Sequence, residues 1–171
     1  QNIRITQAPS AAFTVSNASG CAPYTAQFTN NSSSNATSYV WSFTGGTPTT
    51  SSAANPPAVT YNTPGIYTVT LIVSNIIGTS SATQTITVNS TPSASFSNSI
   101  VGNTVNFVNN STNATSYAWN FGDGTPPSTQ AAPSYTYADA GNYQVVLTAT
   151  NACGSVTSSQ NIEILVAPIA A

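Results

Sequence analysis

Ionic side chains are almost missing from this sequence: it has no histidine and no methionine, Lys and Arg together number one, and Asp and Glu together number three. Charged residues make up 2% of the chain, against roughly 25% in an average soluble domain. Each absence removes a class of function. One arginine cannot neutralise a run of phosphates, so nucleic-acid binding by counterion release is excluded. Adsorption to an anionic bilayer surface is disfavoured for the same reason. No stretch approaches the roughly 20 apolar residues of a membrane-spanning helix, so no membrane insertion is expected. Without histidine there is neither an imidazole base nor an imidazole metal ligand. The acids Asp123, Asp139 and Glu163 lie in separate segments, whereas glycosidase chemistry needs two carboxylates held a few ångströms apart. The two cysteines do not form a Cys-x-x-Cys pair. The chain reads as a non-enzyme that holds no cofactor and no metal.

What remains is apolar and neutral-polar. Hydrophobic residues make up 40% of the chain, and Val, Ile, Tyr, Phe and Trp recur in short blocks. Disordered chains are poor in these types, so the sequence is expected to fold. Ser, Thr, Asn and Gln must supply its solubility.

Internal repetition is the strongest signal. Residues 35–41, NATSYVW, return as NATSYAW at 113–119. Phe43-Thr-Gly-Gly-Thr-Pro48 returns as Phe121-Gly-Asp-Gly-Thr-Pro126, and Gly65-Ile-Tyr67-Thr-Val69 returns as Gly141-Asn-Tyr143-Gln-Val145. Two modules are therefore expected, at residues 8–89 and 91–166. The end segments echo each other as well: Gln1-Asn-Ile-Arg-Ile5 resembles Gln160-Asn-Ile-Glu-Ile164. Residues 1–7 are read as the last strand of a preceding module or a linker, and 167–171 as the start of a following one.

Within each module, short runs alternate apolar and polar residues between turn formers, the pattern of half-buried strands. Tyr67, Val69, Leu71 and Val73 fall on one face of one run; Tyr143, Val145, Leu147 and Ala149 do so in its copy. The other strands are expected at 11–15, 24–29, 39–43, 58–61 and 79–88, and again at 94–98, 104–108, 117–121, 134–137 and 155–164. Gly122-Asp123-Gly124 is read as a turn, and Pro56-Pro57, Pro126-Pro127 and Pro133 as breaks in pairing. Six or seven strands in about 80 residues predict an all-β fold: two immunoglobulin-like β-sandwich modules in tandem. Trp41, Trp119, Tyr67 and Tyr143 are placed in the cores. For the tryptophans, core packing is favoured over a sugar-stacking platform.

These residues resemble the polycystic kidney disease (PKD) domain family. The second module carries the pattern in Tyr117-Ala-Trp119-Asn-Phe121-Gly-Asp-Gly124, Tyr137, Gly141-Asn-Tyr143 and Asn151-Ala-Cys153-Gly154. The first module departs from it, because Thr44-Gly45 stands where Gly122-Asp123 does and its turn has no carboxylate to use. The resemblance implies a β-sandwich found mainly outside the cell, and a long surface or secreted protein like those of the Bacteroidota.

Cys21 lies between the first and second strands of its module, and Cys153 between the last two strands of the other. Strands of this topology alternate in direction, so a head-to-tail arrangement would turn both cysteines toward one junction. A Cys21–Cys153 disulfide is expected; the alternative is two thiols that are free or separately paired. Asp123 is assigned to the turn, in preference to a calcium-ligand role. The functional expectation is a stiff extracellular or cell-surface spacer, or a building block of a fibre or adhesin. Its partners would be neighbouring modules of the same polypeptide, like copies in a filament, or surface glycans. The competing reading is a carbohydrate- or protein-binding accessory module of a secreted enzyme.

Overall fold

A computed structural model of the chain describes residues 7–165. The expected terminal strand at 1–5 and the restart at 167–171 lie outside those residues. The chain divides into two compact units between Ser90 and Thr91. Both are all-β among the described residues.

The second module is the simpler. β10 (Phe96–Val101), β11 (Thr104–Asn109) and β13 (Ser134–Thr136) form one sheet, in that order; β12 (Ser116–Asn120), β14 (Gly141–Asn151) and β15 (Gly154–Ile164) form the other. All its pairings are antiparallel. A tight turn at Gly102, with φ 59°, joins β10 to β11, and the two strands pair from Phe96↔Asn109 to Val101↔Thr104.

The first module builds the same sandwich from more pieces. β1 (Phe13–Val15) pairs with β4 (Phe28–Asn30), and β3 (Tyr24–Ala26) pairs with β7 (Val59–Tyr61). The single strand expected at 24–29 is thus broken at Gln27, and its halves serve different partners. The opposite sheet runs β2 (Ser19–Cys21), β9 (Thr79–Asn89), β8 (Gly65–Ser74), β5 (Ser38–Phe43), β6 (Thr50–Ser51). The alternation pattern predicts neither β2 nor β6, which are short and carry no apolar stripe. β2 pairs parallel with the end of β9, from Ser19↔Thr87 to Cys21↔Asn89. The chain after β1 therefore crosses to the other sheet, a path the tight β10–β11 turn does not take. The strand expected at 94–98 begins later and runs on to Val101 for this reason.

Each core is organised around its tryptophan, and both indoles are 0% exposed. Phe13 meets Trp41 edge-on at 5.1 Å and 73°, and Phe96 meets Trp119 at 5.1 Å and 72°. Each indole N–H donates to a backbone carbonyl of the loop after its strand: Ala53 O at 3.0 Å and Gln130 O at 3.0 Å. Tyr67 and Tyr143, expected in the core, sit at its margin. They are half-buried, pack against Tyr61 and Tyr137 at 4.8 and 4.0 Å, and donate their hydroxyls to Thr63 O and Asp139 O. The interior phenols are Tyr61 and Tyr137. A tyrosine at the margin keeps its hydroxyl near polar backbone, whereas an interior one must find a buried acceptor.

The interior pair differ in that respect. Tyr137 donates to Phe121 O at 2.8 Å. Tyr61 Oη is buried with no partner among the described residues; in that module the Phe43 carbonyl closes a turn onto the Gly46 N–H at 3.0 Å. Two further polar groups cross between the sheets. Gln84 Nε2 donates to Phe13 O at 2.5 Å, and Gln160 Nε2 to Phe96 O at 2.6 Å. Alternation alone assigns such glutamines no role. Their signal is that each occupies an inward position two residues before a buried isoleucine, Ile86 or Ile162.

Two outcomes follow from the interior phenols. Removing a satisfied buried hydroxyl costs about 1 kcal/mol, while removing an unsatisfied one is neutral or stabilising. Tyr137→Phe is expected to lower the stability of its module by about that amount; Tyr61→Phe should leave its module unchanged or more stable in urea unfolding. Burial pushes the Tyr61 phenol up to about 12, with the nearby Tyr67 adding to the shift, and burial also raises Tyr137. The folded state holds these protons more tightly than the unfolded chain does. Their contribution is therefore complete below the unfolded value of about 10 and is lost as pH rises toward the folded values. Phenolate absorbance during alkaline titration should rise in two stages, the second coinciding with loss of the near-ultraviolet circular dichroism signal.

Candidate functional site

The described residues hold no cluster of three or more His, Cys, Asp or Glu side chains that could bind a metal ion. The features that bear on function are the two cysteines, the Asp123 turn and the distribution of aromatic surface.

Cys21 ends β2. The parallel ladder fixes it opposite Asn89, and the Ala22 N–H donates to Asn89 O at 3.0 Å. Tyr24 secures the approach: its ring lies over Gly20, where a Cβ would meet ring carbon at 2.0 Å, and its hydroxyl donates to Asn17 O at 2.6 Å. The cysteine thus sits on backbone tied to the final residues of its own module. Cys153 lies in the turn between β14 and β15. Asn151 accepts from the Cys153 N–H at 2.7 Å and donates through Nδ2 to Asn113 O at 2.6 Å. Asn75 plays the corresponding part in the first module, accepting from the Ile77 and Gly78 N–H groups and donating to Asn35 O and Gln7 O. Each asparagine ties the last hairpin of its module to the loop before the tryptophan strand. Both Cys21 and Cys153 are disulfide-bonded, and neither is a free thiol.

Asp123 fastens the turn after β12. Its Oδ1 accepts from the Thr125 N–H at 3.1 Å and the Thr125 hydroxyl at 2.7 Å, and its Oδ2 accepts from the Tyr135 hydroxyl at 2.5 Å. Tyr135 in turn stacks on Phe121 at 3.9 Å. Slight desolvation pushes the Asp123 carboxyl up, but the hydrogen bonds from Tyr135 and Thr125 together outweigh it and hold the group below the ordinary carboxylate range. The bond to Asp123 raises the Tyr135 phenol. Gly122 has φ 81°, and a Cβ there would lie 2.5 Å from the Gln144 carbonyl oxygen, so the position admits glycine alone. In the first module Gly45 replaces Asp123 and the buried Val59 replaces Tyr135. Backbone bonds between Thr47 and Thr60, at 2.9 Å in each direction, then do the fastening.

Every phenylalanine and tryptophan is buried, and every tyrosine is buried or half-buried. No aromatic ring stands exposed as a stacking platform.

The Asp123 turn can be checked directly. A depressed folded value means that the turn stabilises fully above the unfolded carboxylate range and loses that contribution as pH falls. Asp123→Ala should flatten the acid limb of the second module's stability profile, measured by urea midpoint against pH, and leave the first module's limb unchanged. Gly122→Ala should cost about 1–3 kcal/mol.

Comparison with known proteins agrees with this architecture. The sequence profile of the PKD domain matches twice, over residues 6–90 and 89–166. The PKD1 domain of Vibrio anguillarum Epp is 36% identical; the match covers 46% of this chain and 99% of that one, with a TM-score of 0.44. The PKD1 domain from the Vibrio cholerae metalloprotease PrtV is 40% identical, over 43% of this chain and 95% of that one, with a TM-score of 0.41. An amphioxus IgVJ-C2 molecule is 15% identical over 85% of this chain and 99% of that one, with a TM-score of 0.49. With the profile matched across both halves, the chain belongs to the PKD domain family, as two such domains in tandem.

Proposed function

We propose that this pair of PKD domains is a stiff, non-catalytic spacer of a larger extracellular or surface protein, with a Cys21–Cys153 disulfide acting as the clamp between its modules. PKD domains are typically extracellular structural or accessory modules. The observation that carries the reading is that both cysteines are disulfide-bonded on hydrogen-bonded backbone of their own modules. Disulfides persist in oxidising, extracellular surroundings. Tandem modules with ordinary interfaces move relative to one another, and a covalent tie between them would remove that freedom.

The burial of every phenylalanine and tryptophan, with no tyrosine more than half-exposed, weighs against a carbohydrate-stacking surface. The similar Vibrio cholerae domain comes from a metalloprotease, so an accessory setting fits the family too. A spacer within an enzyme is still a spacer, and a glycan-binding version would have to use the partly exposed tyrosines.

Intact mass under non-reducing conditions should show a monomer lighter than its reduced form by two hydrogens. Chymotryptic mapping should recover one peptide pair joined through Cys21 and Cys153. Small-angle scattering should then show a narrow distribution of interatomic distances that broadens in the Cys21→Ser, Cys153→Ser double variant. Free thiols, or disulfide-linked dimers, would overturn the clamp. Unchanged scattering in the variant would overturn the stiffening role. Saturable binding to chitin or cellulose would favour the accessory reading.

A further inference from the structure

β15 is an 11-residue strand with a partner on one side. Its outer edge carries no partner among the described residues. Long open edges are ready templates for another strand, and folded proteins guard them with Lys, Pro, bulges or covering segments. β15 has none of these guards: it contains no lysine and no proline, and it pairs with β14 without interruption from Asn151↔Gly154 to Gly141↔Ile164. The first module treats the corresponding edge differently. There β2 occupies the last three residues of β9, so a full-length added strand would collide with it. The opposite edge of the same sheet is also better guarded, since β12 is short and Trp119 exchanges two backbone bonds with Ser128, at 2.8 and 2.9 Å.

We infer that the β15 edge of the second module pairs with β15 of a second copy of this chain, antiparallel about a two-fold axis near Ser159, joining two three-stranded sheets into one. The strand's own sequence selects that partner. In this register Val156 faces Ile162 of the other copy on the inner side, so apolar meets apolar. On the outer side Thr157 faces Asn161 and Ser159 faces itself. Glu163, the one charge on the strand, then faces Ser155 and stays away from its own copy. A parallel in-register pairing would stack Glu163 on Glu163, and like charges directly opposite are destabilising. The contacts formed are of a kind the chain already uses. Hydroxyls meet across strands at Thr25–Thr60, Thr104–Thr136, Thr150–Ser155 and Ser38–Ser74, at 2.6–3.0 Å. Such pairs attract without charge and so do not repel a second copy.

The test uses the full 171-residue chain with its disulfide intact. Sedimentation equilibrium should show a reversible dimer that persists under non-reducing conditions without an intermolecular disulfide. Amide exchange should slow with rising concentration in 154–164 and nowhere else in the second module's strands. Ser159 is exposed, so Ser159→Lys should preserve the circular dichroism melt while placing two ammonium groups together at the axis. It should raise the dimer dissociation constant at least tenfold, because like charges facing each other across an interface oppose association. A chain that stays monomeric at millimolar concentration would overturn the inference. So would a dimer that Ser159→Lys leaves intact, or one whose protection maps to another strand. These outcomes are independent of the spacer reading, because Ser159→Lys leaves the cysteines and the scattering of the monomer untouched.

Discussion

The arrangement depends on burying an indole whose one polar atom still needs an acceptor. An unpaired N–H in a dry interior costs about 1–3 kcal/mol, so the loop after each tryptophan strand must bring a carbonyl to it. Ala53 does so for Trp41 and Gln130 for Trp119, both at 3.0 Å. The rest of each core packs around that anchor. A phenylalanine from the facing sheet meets each indole edge-on at 5.1 Å, and a second phenylalanine, Phe43 or Phe121, continues the same strand face inward. The glutamines Gln84 and Gln160 then tie the two sheets through the backbone carbonyls of those same facing phenylalanines, Phe13 and Phe96. Two modules that differ in strand count keep this centre nearly unchanged.

The surface follows a different economy. With almost no charged side chains, cross-strand attraction on the outer faces comes from hydroxyl pairs and from apolar pairs such as Val40–Ile72. Each hydroxyl pair trades hydration for one modest hydrogen bond, so the gain per contact is small. The larger consequence is the absence of repulsion. Nothing in the composition keeps one strand edge away from another, and chain path must do what lysine does elsewhere. The first module sends β2 across its edge; the second leaves β15 bare.

Small sequence differences produce this divergence. Gly45 for Asp123 and Val59 for Tyr135 change together: a carboxylate–phenol–threonine fastening gives way to backbone pairing of Thr47 with Thr60. Tyr61 has no counterpart of the Phe121 carbonyl that accepts from Tyr137. The longer segment after β1 lets the first module cross to the other sheet, while the turn at Gly102 holds the second module's first strand to one sheet.

The repeat, the all-β class and the buried tryptophans were legible from sequence, because a period of two along aromatic-rich runs leaves few other ways to bury those rings. The Asp123 turn was legible as well, since Gly-Asp-Gly has a local chemistry of its own. The break at Gln27, the strands β2 and β6, the marginal positions of Tyr67 and Tyr143, and the bonds of Gln84 and Gln160 were not. Each of these depends on which backbone group lies opposite in space, and that is set by segments far apart in the chain. Local pattern decided what each strand buries; tertiary pairing decided which edges close, which hydroxyl goes without a partner and where each cysteine is held.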